Sequence, residues 1–288
     1  MRKKIIFIYD KTQLSQYNSE QHSGWVRECS EVYDIRFWGR GFGDESLDNL
    51  KKTVDNFKPD YIYLTVGKVY FTHAHTGCAT WLPNLSEIPV PKIFVECDTA
   101  YTPYWEDFYS QFDHIYVRWA WPGFFYDKWG AFPRFRWSVP SLWLEPFKPL
   151  PREGIKFVGQ FACGGLYLDR LTMKELYGDK IQFIREFNFN SYWEILRSSA
   201  MLICPKYSGY GDYVPFKLFE YIASGSAVLT NCDLDDYGLS ELHGKVLEFT
   251  DLKNLEQYLS VNPVPYQGTG INVLREHTHV KRYSEIFV

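Results

Sequence analysis

One stretch limits the possible folds more than any other: Gly211 to Asn231, which reads as loop, helix, tight turn and buried strand. Phe216, Phe219, Tyr221, Ile222 and Ala223 recur at offsets of three and four, the spacing of one apolar helix face. Gly225 stands where a left-handed C′ residue ends a helix. Ala227-Val228-Leu229 follows as a short run suited to a strand covered on both faces. A helix that turns tightly into a fully buried strand belongs to a parallel sheet layered with helices, so the chain is an α/β protein.

The rest of the sequence repeats this alternation. Strand-like runs fall at 4–9, 33–38, 61–66, 91–99 and 114–117, with an amphipathic helix over 47–57 between the second and third. Pro146 to Pro151 has the composition of a linker. Beyond it come a strand at 155–160, a helix at 169–177, a strand at 180–185, a helix at 192–199 and a strand at 200–205. A last strand (244–249) and a helix (252–259) follow the 211–231 stretch. The 288 residues are enough for two modest domains. We expect two doubly wound domains, 1–150 and 151–265, followed by a terminal helical segment, 266–288.

Several function classes are disfavoured at this stage. The formal net charge is −4 and neither half is basic, so bulk electrostatics give no support to a nucleic-acid partner. The six cysteines include no Cys-x-x-Cys pair, against a zinc site or a thioredoxin-like motif. The apolar run Ile5–Tyr9 is too short for a signal peptide or a membrane span. A cytoplasmic setting with free thiols is expected. No Gly-x-Gly-x-x-Gly follows the first strand, so a dinucleotide phosphate loop is not indicated. His73 and His75 lack accompanying acids or cysteines at ligand spacing, and no metal site is expected.

An acid (Asp212), seven residues, then Glu220 on a helix followed by Ala223-x-Gly225 and a strand resembles the donor-sugar motif of retaining GT-B glycosyltransferases. The variant with Lys217 ahead of Leu218-Phe219-Glu220, together with His277-Thr278 and Arg282 near the end, resembles the CgeB-like (spore-maturation-type) branch, related to family 4-like enzymes. The resemblance covers most of the second half by motif and the first half by element order. It implies two Rossmann-like domains facing across a cleft, an acceptor domain first and a donor domain second, with the terminal helix crossing back to the first domain. It implies transfer of a hexose or pentose from a nucleotide-diphospho sugar to a carbohydrate or other hydroxyl acceptor, with retention, no tightly bound cofactor and no metal.

Residue roles follow from that resemblance and from the chemistry. A fixed carboxylate can accept hydrogen bonds from both vicinal hydroxyls of a ribose, the role expected of Glu220. A leaving diphosphate needs positive charge or N–H dipoles aimed at it. Lys217 and Arg170 are candidates for the charge, although Arg170 also suits a solvated helix face. Gly159 ends the first strand of the second domain. Gln160 stands where the family commonly has Arg, and Gly164-Gly165 could form an anion-binding turn in its place. Tyr213 adjoins Asp212, which is expected to face the sugar. Asp98, at the end of a strand, is either catalytic or the cap of a following helix. His22, His73 and His75 are candidates for the acceptor side. Other readings stay open: a nucleotide-sugar epimerase or hydrolase, a non-catalytic nucleotide-sugar-binding module, or a hydroxymethylated DNA base as the acceptor, stacked on the aromatic run 119–135.

Overall fold

A computed structural model describes residues 2–8, 27–39, 41–43, 46–66, 84–96, 110–117, 141–148, 150–159, 168–186, 188–206, 215–235 and 238–288. The chain divides into two compact units, Met1–Phe135 with Arg282–Val288, and Arg136–Lys281.

The first unit holds a five-stranded sheet of β1 (Lys4–Ile8), β2 (Asp34–Trp38), β3 (Tyr61–Val66), β4 (Lys92–Glu96) and β5 (His114–Val117), in the order β2-β1-β3-β4-β5. Every pairing is parallel, with Ile5 opposite Tyr61 and Phe7 opposite Tyr63. Both faces are covered, so neighbouring strand residues enter different cores. Ile6, Ile8, Ile62, Leu64 and Phe94 meet Leu50 and Val54 of helix α1 (Leu47–Phe57) on one side. Ile5, Phe7, Tyr63, Ile93 and Val95 meet Tyr33, Tyr283, Ile286 and Phe287 on the other. The Ser46 side chain accepts from the Asn49 N–H and starts α1. Lys58, in the left-handed conformation, stops it.

The second unit repeats the plan. Its strands are β6 (Glu153–Val158), β7 (Gln182–Ile184), β8 (Ser199–Cys204), β9 (Ala227–Thr230) and β10 (Leu247–Glu248), all parallel, in the order β10-β9-β8-β6-β7. Counted from the first strand of each unit, both sheets read 2-1-3-4-5. Helices α2 (Leu168–Tyr177), α3 (Phe189–Arg197) and α4 (Phe216–Ala223) follow β6, β7 and β8 in turn, and α5 (His279–Ile286) closes the chain. One core layer joins Phe157, Met201, Ile203, Ala227 and Leu229 to Met173 and Tyr177 of α2. The segment at 244–249, expected as a full strand, pairs over Leu247–Glu248 alone, and 252–259 divides into a 3-10 turn and a short helix. The terminal helical segment expected over 266–288 is divided into a short helix, Ile271–Leu274, a 3-10 turn, Arg275–His277, and α5.

Candidate functional site

In an open α/β sheet, ligands bind outside the carboxyl ends of the strands where the strand order reverses. In the second unit that place lies between β6 and β8. A helix that follows a parallel strand starts at this same edge. The first turns of α2, α3 and α4 therefore bring Arg170, Tyr192 and Lys217 to it, with Glu220 one turn further along α4.

Helix α4 is fixed along its length. At its C-terminal end the Arg152 guanidinium donates to the carbonyls of Gly225 and, at 3.3 Å, Ser224. A cation suits that end of the helix dipole. Gly225 has φ +74°, a backbone conformation that favours glycine, and an added Cβ would also press on the Arg152 Nη2 that caps the helix, at 2.8 Å. In the body of the helix, the Tyr221 hydroxyl donates to the Val158 carbonyl (2.7 Å) and accepts from the Val158 N–H (3.1 Å), tying α4 to the last residue of β6. At the start stands Pro215, whose side chain cannot accept from the first N–H groups of the helix.

These supports hold Lys217 and Glu220 against the end of β6. Gly159 has φ +152°, and a Cβ there would lie 2.7 Å from Lys217 Cε and 2.9 Å from Lys217 Nζ. The end of the lysine side chain thus lies across bare backbone, and a Cβ at this position would have to displace it. Glu220 is 1% exposed, and its Oε2 accepts from the Tyr192 hydroxyl at 2.5 Å. The Tyr192 ring faces Lys217 Nζ at 5.3 Å, within the range of a cation–π contact. Arg170 is 7% exposed and its guanidinium lies 5.5 Å from the centroid of Phe157. The two alternatives for Arg170 are thereby separated: it is buried at the strand end and is not part of a solvated helix face.

The electrostatics reflect this crowding. Desolvation holds the Lys217 ammonium below the ordinary lysine pKa; Glu220 acts to raise it and Arg170 to lower it further. Burial pushes the Cys204 thiol well up, against the opposing pull of Arg170 and Lys217. Burial likewise raises Tyr221 well above its usual value. Two cations and a carboxylate thus share one desolvated place. A doubly anionic group could draw on both cations there, and a diol could donate to the carboxylate.

Of the residues singled out from the sequence, Gly159, Arg170, Lys217 and Glu220 are brought together. Asp98, Gln160, Gly164, Gly165, Asp212, Tyr213, His22, His73 and His75 lie outside the described residues. His277 is buried beneath the Phe219 ring, 6.0 Å between centroids. Among the described residues no group of three metal-binding side chains occurs, and no helix is long and apolar enough to cross a membrane. The sequence reading missed Tyr192, Tyr221 and Arg152. Tyr192 carried a usable signal: Asn188 is a helix-starting residue, and a buried tyrosine in the first turn beyond it must find a partner for its hydroxyl.

No protein-family model and no curated protein matches the sequence. Solved structures do match. An α-glucosyltransferase in complex with UDP and a 13-mer DNA containing a central A:G mismatch is 10% identical, covers 100% of both chains and superposes with a TM-score of 0.62. An α1,3-fucosyltransferase is 12% identical over 99% of this chain and 82% of its own, with a TM-score of 0.52. With two parallel Rossmann-like sheets of five strands each, the chain has the GT-B fold.

Proposed function

We propose that this protein is a glycosyltransferase that binds a nucleotide-diphospho sugar at the carboxyl edge of its second sheet and transfers the sugar to a hydroxyl acceptor. One observation carries the reading: Arg170, Lys217 and the buried Glu220 converge at the strand-order reversal of that sheet. Glu220 would accept from the ribose hydroxyls. Lys217 and Arg170 would take the diphosphate, with the start of α4 contributing its N–H groups. UDP, the nucleotide part of such a donor, is what the α-glucosyltransferase neighbour holds. Transfer with retention, independence of a metal ion and membership of the CgeB-like branch are inferred from the sequence motif. Asp98 and Asp212 are the proposed catalytic acids. The three described cysteines are free thiols, which suits a cytoplasmic setting.

Calorimetry against a panel of nucleoside diphosphates and their sugars, with and without EDTA, tests this. Binding at near-micromolar Kd, about 8 kcal/mol, that survives EDTA is the expected result. Glu220→Ala should weaken it by about 1–3 kcal/mol. No binding by any nucleotide would defeat the reading and leave a different ligand class. Sugar released to water without an acceptor would favour a hydrolase, and binding without turnover a non-catalytic module.

A second reading of the acceptor follows from the DNA held by the α-glucosyltransferase neighbour. A hydroxymethylated DNA base would then receive the sugar. The net charge of −4 weighs against it. DNA affinity that falls steeply with salt would support it.

A further inference from the structure

We propose that Tyr192 is the positioning residue of the donor site, holding Glu220 through its hydroxyl and Lys217 through its ring. This rests on the donor-site reading above and adds to it a residue that touches neither proposed half of the ligand.

Tyr192 stands in the first turn of α3, the helix that follows β7, the strand paired with β6. That turn is fixed before any ligand arrives. The Asn188 side chain accepts from the Ser191 N–H at 3.2 Å, and Glu186 accepts from the Asn188 N–H at 2.7 Å. The ring is 1% exposed. Its hydroxyl lies 2.5 Å from Glu220 Oε2 and its face 5.3 Å from Lys217 Nζ. Lys217 and Glu220 are three residues apart on α4, hence on the same side of that helix, and Tyr192 meets both. A tyrosine with a merely structural role needs any acceptor for its hydroxyl. Here the acceptor is the carboxylate assigned to the ribose, and the same ring faces the cation assigned to the diphosphate. Fixing both side chains in advance removes an ordering cost from binding. A carboxylate can accept several hydrogen bonds, so acceptance from Tyr192 is compatible with acceptance from a diol.

The experiment compares wild type, Tyr192→Phe, Tyr192→Leu, Glu220→Gln and the double variant Tyr192→Phe/Glu220→Gln. Affinity for nucleoside diphosphates and for inorganic pyrophosphate is measured from about pH 5 to 9. Tyr192→Phe keeps the ring and should fold. It should weaken nucleoside diphosphates roughly tenfold and leave pyrophosphate unchanged. Losing a hydrogen bond to the charged form raises the carboxyl pKa, so the acid limb of nucleotide binding should move to higher pH. The titratable groups that Glu220 acts on, Lys217 and Tyr221, and the Arg170 and Cys204 that act on them, are unaltered in this variant. Tyr192→Leu should weaken pyrophosphate as well. In the Glu220→Gln background, Tyr192→Phe should add less than about a twofold loss. Wild-type affinity with an unmoved acid limb in Tyr192→Phe overturns the inference alone. An equal loss with and without Glu220 reduces Tyr192 to a packing residue. A wild type that binds no nucleotide defeats the donor-site reading, and this inference with it.

Discussion

The two units have the same strand order and differ, among the described residues, in what surrounds the place where that order reverses. In the first unit it falls between β1 and β3, whose Ile8 and Leu64 are buried in an apolar cluster with Trp38 and Leu50. The opposite face is closed by rings: Tyr283 and Phe287 are stacked at 5.6 Å, and both meet Tyr33 and Tyr63 edge-on. In the second unit the reversal falls between β6 and β8. There β6 runs on into Gly159, overlain by Lys217, and β8 ends in Cys204, on which Arg170 and Lys217 act, with Glu220 buried one turn along α4. Burying ions costs stability unless they are compensated, whereas burying rings contributes it. Among the described residues, then, apolar packing borders the first unit's reversal, although that unit also buries Glu28, Lys92 and Arg282 elsewhere in its fold. The second unit holds charges in a desolvated place, which is how a binding site is recognised.

The largest effect expected from this contrast lies in the first unit. Phe7 is buried against Phe37 and Tyr63, with centroids at 5.7 and 4.9 Å. Phe7→Ala removes a ring from a closed core and should cost about 3–5 kcal/mol in denaturant unfolding. Nucleoside-diphosphate affinity of the folded protein should stay at the wild-type value. A large loss of affinity in folded Phe7→Ala would show that the first unit shapes the donor site, and the contrast would fail.

A smaller effect of opposite sign is expected in the second unit. Lys217 has its pKa depressed in the folded state, chiefly by desolvation. Between that depressed value and the ordinary lysine value the unfolded chain binds the extra proton, so wild-type stability should rise with pH across this window. Lys217→Met should abolish that rise relative to wild type and add about 0.5–2 kcal/mol at neutral pH. The same substitution should weaken nucleoside diphosphates by roughly tenfold to a hundredfold, because a charged hydrogen-bond donor is lost. Chemical denaturation over pH, paired with calorimetry, measures both. A variant that is less stable than wild type at neutral pH would mean the lysine is compensated in the absence of ligand and is an ordinary structural cation.

The sequence carried the elements well because their signals are local. The three-and-four spacing from Phe216 to Ala223 and the glycine at 225 correspond to α4 and its left-handed turn. The short apolar runs correspond to strands within a few residues at each end. The weakest segments were those where tertiary pairing decides the outcome: β10 is two residues long because only Leu247 and Glu248 reach partners on β9. For the site, the sequence offered Lys217 and Glu220 as neighbours on one helix and Gly159 at a strand end. It offered no means of seeing that Arg170 turns inward onto Phe157, since its spacing on α2 fits an exposed face equally well. Nor could it join Tyr192 to Glu220, because that hydrogen bond spans 28 residues and depends on how two helices pack on one sheet.

The smallest effect concerns charges of the second unit that are not buried. His243 lies between two carboxylates, Nδ1 at 2.9 Å from Glu248 Oε1 and Nε2 at 3.1 Å from Asp235 Oδ1, all three side chains being well exposed. The Glu248 hydrogen bond, then that of Asp235, raises the imidazole above its usual pKa. Stability from this pair is therefore complete below the unfolded histidine value and is lost as pH climbs through the raised one. Solvent screening limits it to less than about 0.5 kcal/mol. His243→Gln should be slightly less stable than wild type in mildly acidic buffer and equal to it in alkaline buffer, with nucleotide affinity unchanged in both. If the deficit instead persisted undiminished at alkaline pH, the imidazole would be acting through neutral hydrogen bonds. If affinity dropped tenfold, exposed charge of the second unit would matter as much as the charge that α4 carries, and burial would no longer distinguish the site from the exposed surface.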